Sequence, residues 1–402
     1  MRVLLFEENA HYQHGHYAEW VVRVATSLAA DGHEVHVLAR HGGIDGRPVP
    51  GAATTSRMAR RHRLLGYVGT EIRRFSWARL GPTRGRPLAV LGDSLRQCAL
   101  GLALRHRAAA LGAPVDLPVM VLSKASPVEL AVLAPRHGRW TVYAHDAPDR
   151  VGGAVETPRL VRFAGRFERR RARTGGFLRL VANNAQLVAA WREAVPWTDP
   201  VVIRSAGRDR VEPVARQEAR AALDPPADGP IALHFGVVHG GKDFDTVMRA
   251  FVGEDAPAHL VVAGKYAAER VDGFRAAHPD VPVPKVTVFD GHLDGQVVHQ
   301  LHSAADVAVL SFFPSWPNDS GTLGDAVSHG LPVCCSDTGD VGRIVERHGI
   351  GAAYPPGDAA ALRAAVARVV GAGGLTAEAQ AGYLEEFSTR TLTRQLLAVT
   401  VS

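Results

Sequence analysis

Short apolar runs alternate with helical segments along almost the whole chain, and this alternation restricts the fold more than any other feature. The runs are continuously apolar, which is typical of strands that are buried on both faces of a parallel sheet. Eleven runs are predicted as strands: 3–6, 34–39, 119–122, 140–144, 178–182, 201–204, 231–235, 259–263, 286–289, 307–311 and 333–336. Helices are predicted at 16–30, 88–111, 184–194, 243–251, 293–303, 322–329 and 340–348, with two more in 376–402. The pattern predicts an α/β protein with two doubly wound, Rossmann-like domains.

A polar segment separates the two series of strands. Its residues that interrupt regular structure are Gly207, Pro213, Pro225, Pro226 and Gly229. We therefore expect an N-terminal domain over 1–205, a linker region over 206–230 and a C-terminal domain over 231–385. A last helix over 386–402 is expected to pack back on the first domain.

The composition fits a soluble globular protein, with 46% apolar and 21% charged residues. No apolar run is long enough to span a bilayer, and the first residues are interpreted as a strand rather than a signal peptide. Three cysteines offer no disulfide framework. These features predict a cytoplasmic protein.

The net charge of +6 comes almost entirely from arginine, since only four of the 46 basic residues are lysines. Arginines cluster at 57–63, 73–74 and 169–173. Two interpretations stay open: a solvated basic face, or a patch within 57–108 that contacts a membrane lipid or another anionic partner. No nucleic-acid motif accompanies the clusters, so a nucleic-acid partner is not expected. Residues 42–87, rich in Arg, Gly and Pro, are predicted to form mobile loops and short helices.

The segment 314–333 joins one predicted strand to the next and carries the strongest candidate site. Ser320 occupies the expected N-cap of a helix, and Gly321 would let a ligand approach the backbone. A helix N-terminus suits a phosphate, because its N–H groups are unpaired. Asp325, one turn after Thr322, is placed to bind a ribose or sugar hydroxyl. A capped helix with a solvated carboxylate is the alternative interpretation.

Further candidates follow other strands of the second series. Gly236 permits a loop to bend around a ligand, and Lys242 supplies a positive charge for a diphosphate, although the order and spacing of a P-loop are absent. The loop with His292 and Leu293 is suited to flank a nucleobase, as is the loop at Gly264. An ordinary glycine turn with an exposed lysine is the alternative.

Two loops of the first series also carry polar residues after strands. One contains Gly15 and His16 and is interpreted as touching substrate hydroxyls or as a structural turn. Its histidines lack the partners of a metal site, so no metal is expected. The other contains His145 and Asp146, where an imidazole can exchange hydrogen bonds with a sugar hydroxyl. A structural histidine at the end of a strand is the alternative interpretation.

These loops, in this order, resemble the retaining GT-B glycosyltransferases of glycosyltransferase family 4. The matching segments are His14-Gly15-His16, Asp31-Gly-His-Glu-Val35, His145-Asp146, Gly236 with Lys242, Gly330-Leu-Pro-Val333 and Gly351–Asp358. The chain departs from the family at Val237, where an arginine is usual, and at Pro317, where the first of two glutamates is usual. Asp325 takes the place of the second glutamate. Asp319 or the backbone near Ser320 is the substitute for the first.

The resemblance implies two domains that face a central cleft and a hexosyltransferase-like activity with retention of configuration. A nucleotide-diphosphate sugar would bind Gly236, Ser320, Gly321, Thr322, Asp325, Asp319, His292 and Leu293. Catalytic roles fall to His145 and Lys242, while Gly15, His16 and Asp146 would hold a small-molecule, glycan or lipid-linked acceptor. No cofactor or metal is required. Two alternatives stay open, a sugar-nucleotide epimerase of the same fold and an inactive nucleotide-sugar-binding relative.

Overall fold

The chain divides into two compact units, residues 1–204 with 392–402, and residues 205–391. The computed structural model describes residues 1–7, 17–41, 47–84, 86–112, 119–122, 138–144, 162, 165–167, 169–170, 172–173, 176–204, 208–223, 229–238, 241–282, 286–316 and 320–401. Each unit contains one parallel sheet with helices.

The first unit is built on a seven-stranded sheet in the order β3-β2-β1-β4-β5-β6-β7. Its strands are β1 (Arg2–Glu7), β2 (Glu34–Ala39), β3 (Thr54–Arg57), β4 (Val119–Leu122), β5 (Gly138–Ala144), β6 (Gly176–Ala182) and β7 (Val201–Val202). The helices named in this unit are α1 (Tyr17–Ala30), α2 (Arg60–Arg84), α3 (Arg86–Ala110), α4 (Ala185–Ala194) and most of α13 (Thr389–Val401). Large side chains such as Trp140 and Trp191 fill the core between the sheet and the helices.

The second unit is built on a six-stranded sheet in the order β10-β9-β8-β11-β12-β13. Its strands are β8 (Ile231–Phe235), β9 (His259–Gly264), β10 (Val286–Asp290), β11 (Val307–Leu310), β12 (Val333–Ser336) and β13 (Gly351–Tyr354). Its helices are α5 (Arg216–Leu223), α6 (Phe244–Ala250), α7 (Ala267–Ala277), α8 (Gly295–Ala304), α9 (Gly321–Ser328), α10 (Val341–His348), α11 (Ala359–Gly371) and α12 (Ala377–Phe387). Successive strand residues such as Cys334 and Cys335 belong to two separate apolar clusters, so both faces of the sheet are buried.

The strand order reverses at one place in each sheet, between β1 and β4 and between β8 and β11. Connections leave this place in opposite directions, and the resulting crevice at the carboxyl ends of the strands is where such sheets bind ligands. In the second unit, the loops that follow β8 and β11 are therefore neighbours. These are the loops that contain Gly236, Lys242 and Ser320.

All eleven predicted strands are confirmed to within two residues at each end. Among the described strands and α-helices, those not predicted are β3, β13, α2, α5, α7 and α11. The prediction of loops and short helices for 42–87 is wrong for residues 60–84, which form one helix of 25 residues. Among the residues of this helix whose burial is described, those buried on its inward face are His62, Gly66, Gly69 and Ser76. Because these residues are small or polar, the face lacks the apolar periodicity that signals a helix.

The described part of the segment 206–230 contacts the second unit. Helix α5 lies within it, and Arg216 and Arg220 both pair with Asp306, at 2.6 and 2.7 Å. The Asp306 carboxylate also accepts the backbone N–H of Ile231 at 2.7 Å. These charge-assisted hydrogen bonds attach the segment to the second unit. They could not be predicted from sequence periodicity, because they join residues about 75 to 90 positions apart.

Candidate functional site

Two loops meet beside the strand reversal of the second unit. The N–H of Asp243 donates to Ser311 O at 3.2 Å, and the N–H of Phe313 donates to Gly241 O at 3.3 Å. Asp243 also caps helix α6 through its side chain, which accepts from Thr246. The end of the β8 loop is thereby fixed against the start of the β11 loop, which sets the position of Lys242.

Gly236 follows β8 directly and has a φ of +101°, a backbone conformation that residues other than glycine rarely adopt. A Cβ atom at this position would lie 3.0 Å from Cγ2 of Thr322 and 3.4 Å from Nζ of Lys242. Three residues that the sequence singled out as a diphosphate site are thus brought together. The carbonyl of Gly236 also stands against Gly264, where a Cβ would collide with it.

Lys242 is 7% exposed, and its Nζ donates to the carbonyl of Phe235 at 2.8 Å. Burial lowers the pKa of this ammonium to about 8, because the charged form loses hydration. The neighbouring His234 is fully buried, and burial together with the charge of Lys242 lowers its pKa to about 3. At neutral pH the site therefore holds a charged lysine beside a neutral imidazole. An anion that reached this ammonium would find it poorly solvated and so strongly attractive.

Helix α9 begins at Gly321, as the sequence predicts, but Ser320 does not cap it with its side chain. The Ser320 hydroxyl instead shares a hydrogen bond of 2.8 Å with the hydroxyl of Thr322. Among the described residues, no acceptor is found for the N–H groups of Gly321 and Thr322. The first turn thus has N–H donors available for an anion, and the side chain of Thr322 in this turn lies beside Gly236.

Asp325 lies one turn into α9 and forms an ion pair with Arg208. The two side chains are 16% and 34% exposed. The predicted ribose ligand is therefore already engaged by a cation from the segment 206–230, which the sequence did not indicate. A nucleotide hydroxyl would have to share the carboxylate with Arg208.

Three histidines form a cluster next to Asp325, and the sequence did not indicate this cluster either. His302 stacks on His329 with ring centroids 4.7 Å apart, and His299 lies 5.3 Å from His329. Nδ1 of His329 donates to the carbonyl of Asp325 at 2.7 Å. Burial lowers the pKa of His302, and it lowers that of His329 to about 4. His302 and His329 are therefore neutral at physiological pH. The three histidines come from α8 and from the residue after α9, and only the fold brings them together.

The remaining donor candidates lie at the edge of the sheet. His292 is exposed, and Leu293 is half-buried against an apolar cluster. Their loop follows β10, which is two strands away from β8, and Gly291 is tied to Gly264 through a backbone bond of 3.3 Å. They share the carboxyl edge with Gly236, although they are not in its immediate surroundings.

Five predicted site residues lie outside the described residues: Gly15, His16, His145, Asp146 and Asp319. Pro317 does as well. Within the described ranges, no group of three or more His, Cys, Asp or Glu residues is arranged to hold a metal ion.

A comparison with known protein families matches the part of the chain that contains this candidate site. Residues 229–371, which contain the whole β8–β13 sheet, match the family described as glycosyl transferases group 1. No curated protein sequence matches the chain.

Solved structures show the fold over the full length. A glycosyltransferase from Rickettsia africae is 12% identical with a TM-score of 0.64, covering 99% of this chain and 97% of that one. Sucrose-phosphate synthase from Thermosynechococcus elongatus is 18% identical with a TM-score of 0.62, covering 99% and 98%. HepE from Anabaena, solved with UDP, is 14% identical with a TM-score of 0.61 and covers 99% of each chain. A further structure of HepE holds UDP-glucose, with a TM-score of 0.59. The predicted GT-B fold is confirmed.

Proposed function

We propose that this chain is a retaining, family 4-like glycosyltransferase that moves a hexose from a nucleotide-diphosphate sugar to an acceptor hydroxyl. The observation that carries the proposal is the convergence of Gly236, Lys242 and Thr322 beside the strand reversal of the second sheet. The family match over 229–371 supports sugar transfer, and HepE shows that a chain of this fold binds UDP-glucose.

The diphosphate of the donor is assigned to Lys242 and the first turn of α9. When the glycosidic bond breaks, negative charge grows on the leaving diphosphate. A fixed ammonium and unpaired N–H groups stabilise that charge more than they stabilise the ground state, and only such a difference accelerates the reaction. The N–H groups of Gly321 and Thr322 and the buried Nζ of Lys242 are the groups positioned for this role.

The rest of the donor is assigned more broadly. Asp325 is proposed to accept a hydrogen bond from a ribose hydroxyl while it stays paired with Arg208, and the loop with His292 and Leu293 is proposed to flank the base. Asp319 would reach the donor sugar. On the acceptor side, Gly15, His16 and Asp146 are proposed to bind the acceptor, with His145 beside the reacting hydroxyl. Neither a metal nor a cofactor is part of this scheme.

Donor binding is tested by thermal shift with UDP-, GDP-, ADP- and dTDP-glucose, because a ligand that binds the folded state raises the melting temperature. We expect one nucleotide series to respond. Lys242→Met keeps an unbranched side chain one atom shorter and removes its charge, so the responding nucleotide should bind roughly 10- to 100-fold more weakly. The matched control is Arg275→Gln, which neutralises an exposed cation of the same unit.

Transfer itself is tested by incubating the responding donor with candidate acceptors and identifying the products by NMR. A new glycoside with the anomeric configuration of the donor supports the proposal. An epimerised nucleotide sugar would instead identify the epimerase alternative, and binding without any turnover would identify an inactive relative. Absence of a thermal response to every donor would refute the donor site.

A further inference from the structure

Helix α2 presents an apolar stripe to solvent. Leu64, Val68 and Phe75 expose 61%, 42% and 58% of their surface. At about 100° per residue, these three positions fall within about 40° of one another around the helix axis. Tyr67, 55% exposed, adjoins the stripe. Several large apolar side chains exposed next to one another indicate a surface that interacts with another protein or with a membrane.

The stripe lies on the outer side of the helix. The opposite side of α2 carries the buried Gly66 and Gly69, and the atoms nearest to a Cβ on Gly69 would be backbone atoms of Gly92 and Arg96 in α3. Helix α3 in turn contributes Leu100 and Leu104 to the core of the first unit. The two 25-residue helices therefore form a layered pair in which α2 is outermost and its apolar stripe faces away from α3.

Arginines border the stripe on both sides. Arg61 and Arg79 lie on one side and Arg60 and Arg74 on the other, and all four are exposed. In sequence, α2 holds seven arginines, one glutamate and no aspartate or lysine, which gives it a charge of +6. The single acidic residue, Glu71, is paired with Arg74 at 3.3 Å. The net charge of this one helix therefore equals the net charge of the whole chain, +6.

We propose that α2 docks the protein onto the surface of an anionic lipid bilayer. Leu64, Val68 and Phe75 would enter the boundary between headgroups and acyl chains, and Tyr67 would lie at headgroup level. The flanking arginines would contact the lipid phosphates. An apolar stripe between two cationic borders is the pattern of a helix that lies in the membrane interface. A nucleic acid would match the arginines but offers no counterpart to the exposed aliphatic side chains of Leu64 and Val68.

The helix lies on the membrane in this proposal and does not cross it. Among the described residues, no helix combines the length and the apolar character that a crossing requires. The docking also does not depend on sugar transfer, since every contact comes from α2 and none from the donor site.

The test is co-sedimentation of the full chain with vesicles of phosphatidylcholine alone and of phosphatidylcholine mixed with phosphatidylglycerol, without nucleotide sugar. We expect binding to the anionic vesicles that weakens as salt is added. The double variant Leu64→Ser/Phe75→Ser should bind at least about tenfold more weakly, because it removes the inserted side chains. Arg60→Gln/Arg79→Gln should lose roughly 25-fold, at about fivefold per headgroup contact.

The matched control is Arg275→Gln/Arg343→Gln, which removes two exposed charges from the second unit and should bind like the wild type. Melting temperatures should be unchanged in all three variants, since every substituted side chain is partly or largely exposed. Equal binding to both vesicle types, no binding, or unchanged binding of Leu64→Ser/Phe75→Ser would overturn the proposal. A wild-type dimer in light scattering that this variant dissociates, without vesicle binding, would assign the stripe to a second copy and also overturn it.

Discussion

Gly236 and Thr322 belong to different loops, yet a Cβ atom on Gly236 would stand only 3.0 Å from Cγ2 of Thr322. The absence of a side chain at position 236 is therefore what lets the first turn of α9 approach the end of β8. Lys242 lies on the same side, 3.4 Å from that added atom. The glycine is therefore a spacer at the proposed donor-diphosphate site as well as a turn residue.

Replacing Gly236 with alanine should therefore have two effects. The φ of +101° would strain any other residue, which should lower the free energy of unfolding by about 1–2 kcal/mol. The added methyl group would also push the side chains of Thr322 and Lys242 away from position 236, so nucleotide binding should weaken by roughly tenfold or more. Chemical denaturation and calorimetric titration with the responding nucleotide measure the two effects separately.

Gly229→Ala supplies the matched control. Gly229 has a φ of +100°, but a Cβ there would have no atom within 4 Å. It should reproduce the loss of stability and leave nucleotide binding unchanged. If both variants weakened binding equally, the contact with Thr322 would have no functional meaning.

Donor binding should depend on pH through Lys242. Its pKa in the folded protein is about 8, so the free protein loses this positive charge as the pH rises through that value. A bound diphosphate favours the ammonium, and above pH 8 binding must therefore take up a proton. The affinity should fall by about tenfold per pH unit there, and Lys242→Met should show no such slope.

Stability should change in the opposite direction over the same range. The folded pKa of Lys242 is lower than its ordinary value of 10.5, so the unfolded state holds the extra proton between about pH 8 and 10.5. Deprotonation there favours the folded state as far as this residue is concerned. A fall in affinity without any matching fall in the free energy of unfolding would thus exclude unfolding as its cause. An affinity that is flat from pH 7 to 9.5 would remove Lys242 from the diphosphate site.

The sequence predicted the sheets and the site backbone better than the side-chain network. Continuous apolar runs identify buried parallel strands, and glycines after strands identify loops at the carboxyl edge. Gly236, Lys242 and Thr322 were found in this way. Arg208 and the histidines on α8 and α9 were not, because ion pairs and ring stacking between distant segments leave no periodic trace. Ser320 is at the predicted N-cap position. Its hydroxyl, however, forms a hydrogen bond with the Thr322 hydroxyl and not with a backbone N–H of the helix.

The Arg208–Asp325 ion pair allows the ribose assignment to be tested against a purely structural role. Removing either partner should lower the free energy of unfolding by about 1 kcal/mol, since the pair is only partly exposed. If Asp325 also binds a ribose hydroxyl, Asp325→Asn should weaken nucleotide binding by about tenfold. Arg208→Gln should change it by less than about threefold. Calorimetric titration of both variants with the responding nucleotide distinguishes the two roles. Equal losses of affinity would restrict Asp325 to a structural role.

The stacked pair His302 and His329 should make the second unit sensitive to acid. Burial lowers the pKa of His329 from 6.5 to about 4, so below pH 6.5 the unfolded state binds a proton that the folded state does not. The free energy of unfolding should therefore fall between pH 6.5 and 4. His329 contributes up to about 1 kcal/mol per pH unit to this loss. The neighbours that face it are His299, Asp325 and His302.

His329→Asn isolates this contribution, because an asparagine Nδ2 can replace His329 Nδ1 as the donor to the carbonyl of Asp325 but cannot titrate. Denaturation profiles at pH 7, 5.5 and 4.5 should converge for wild type and variant toward low pH, since only the wild type loses the stability of a neutral buried imidazole. Parallel profiles for wild type and His329→Asn would mean that acid acts elsewhere, with the fully buried His234, whose pKa is lowered to about 3, as the next residue to substitute.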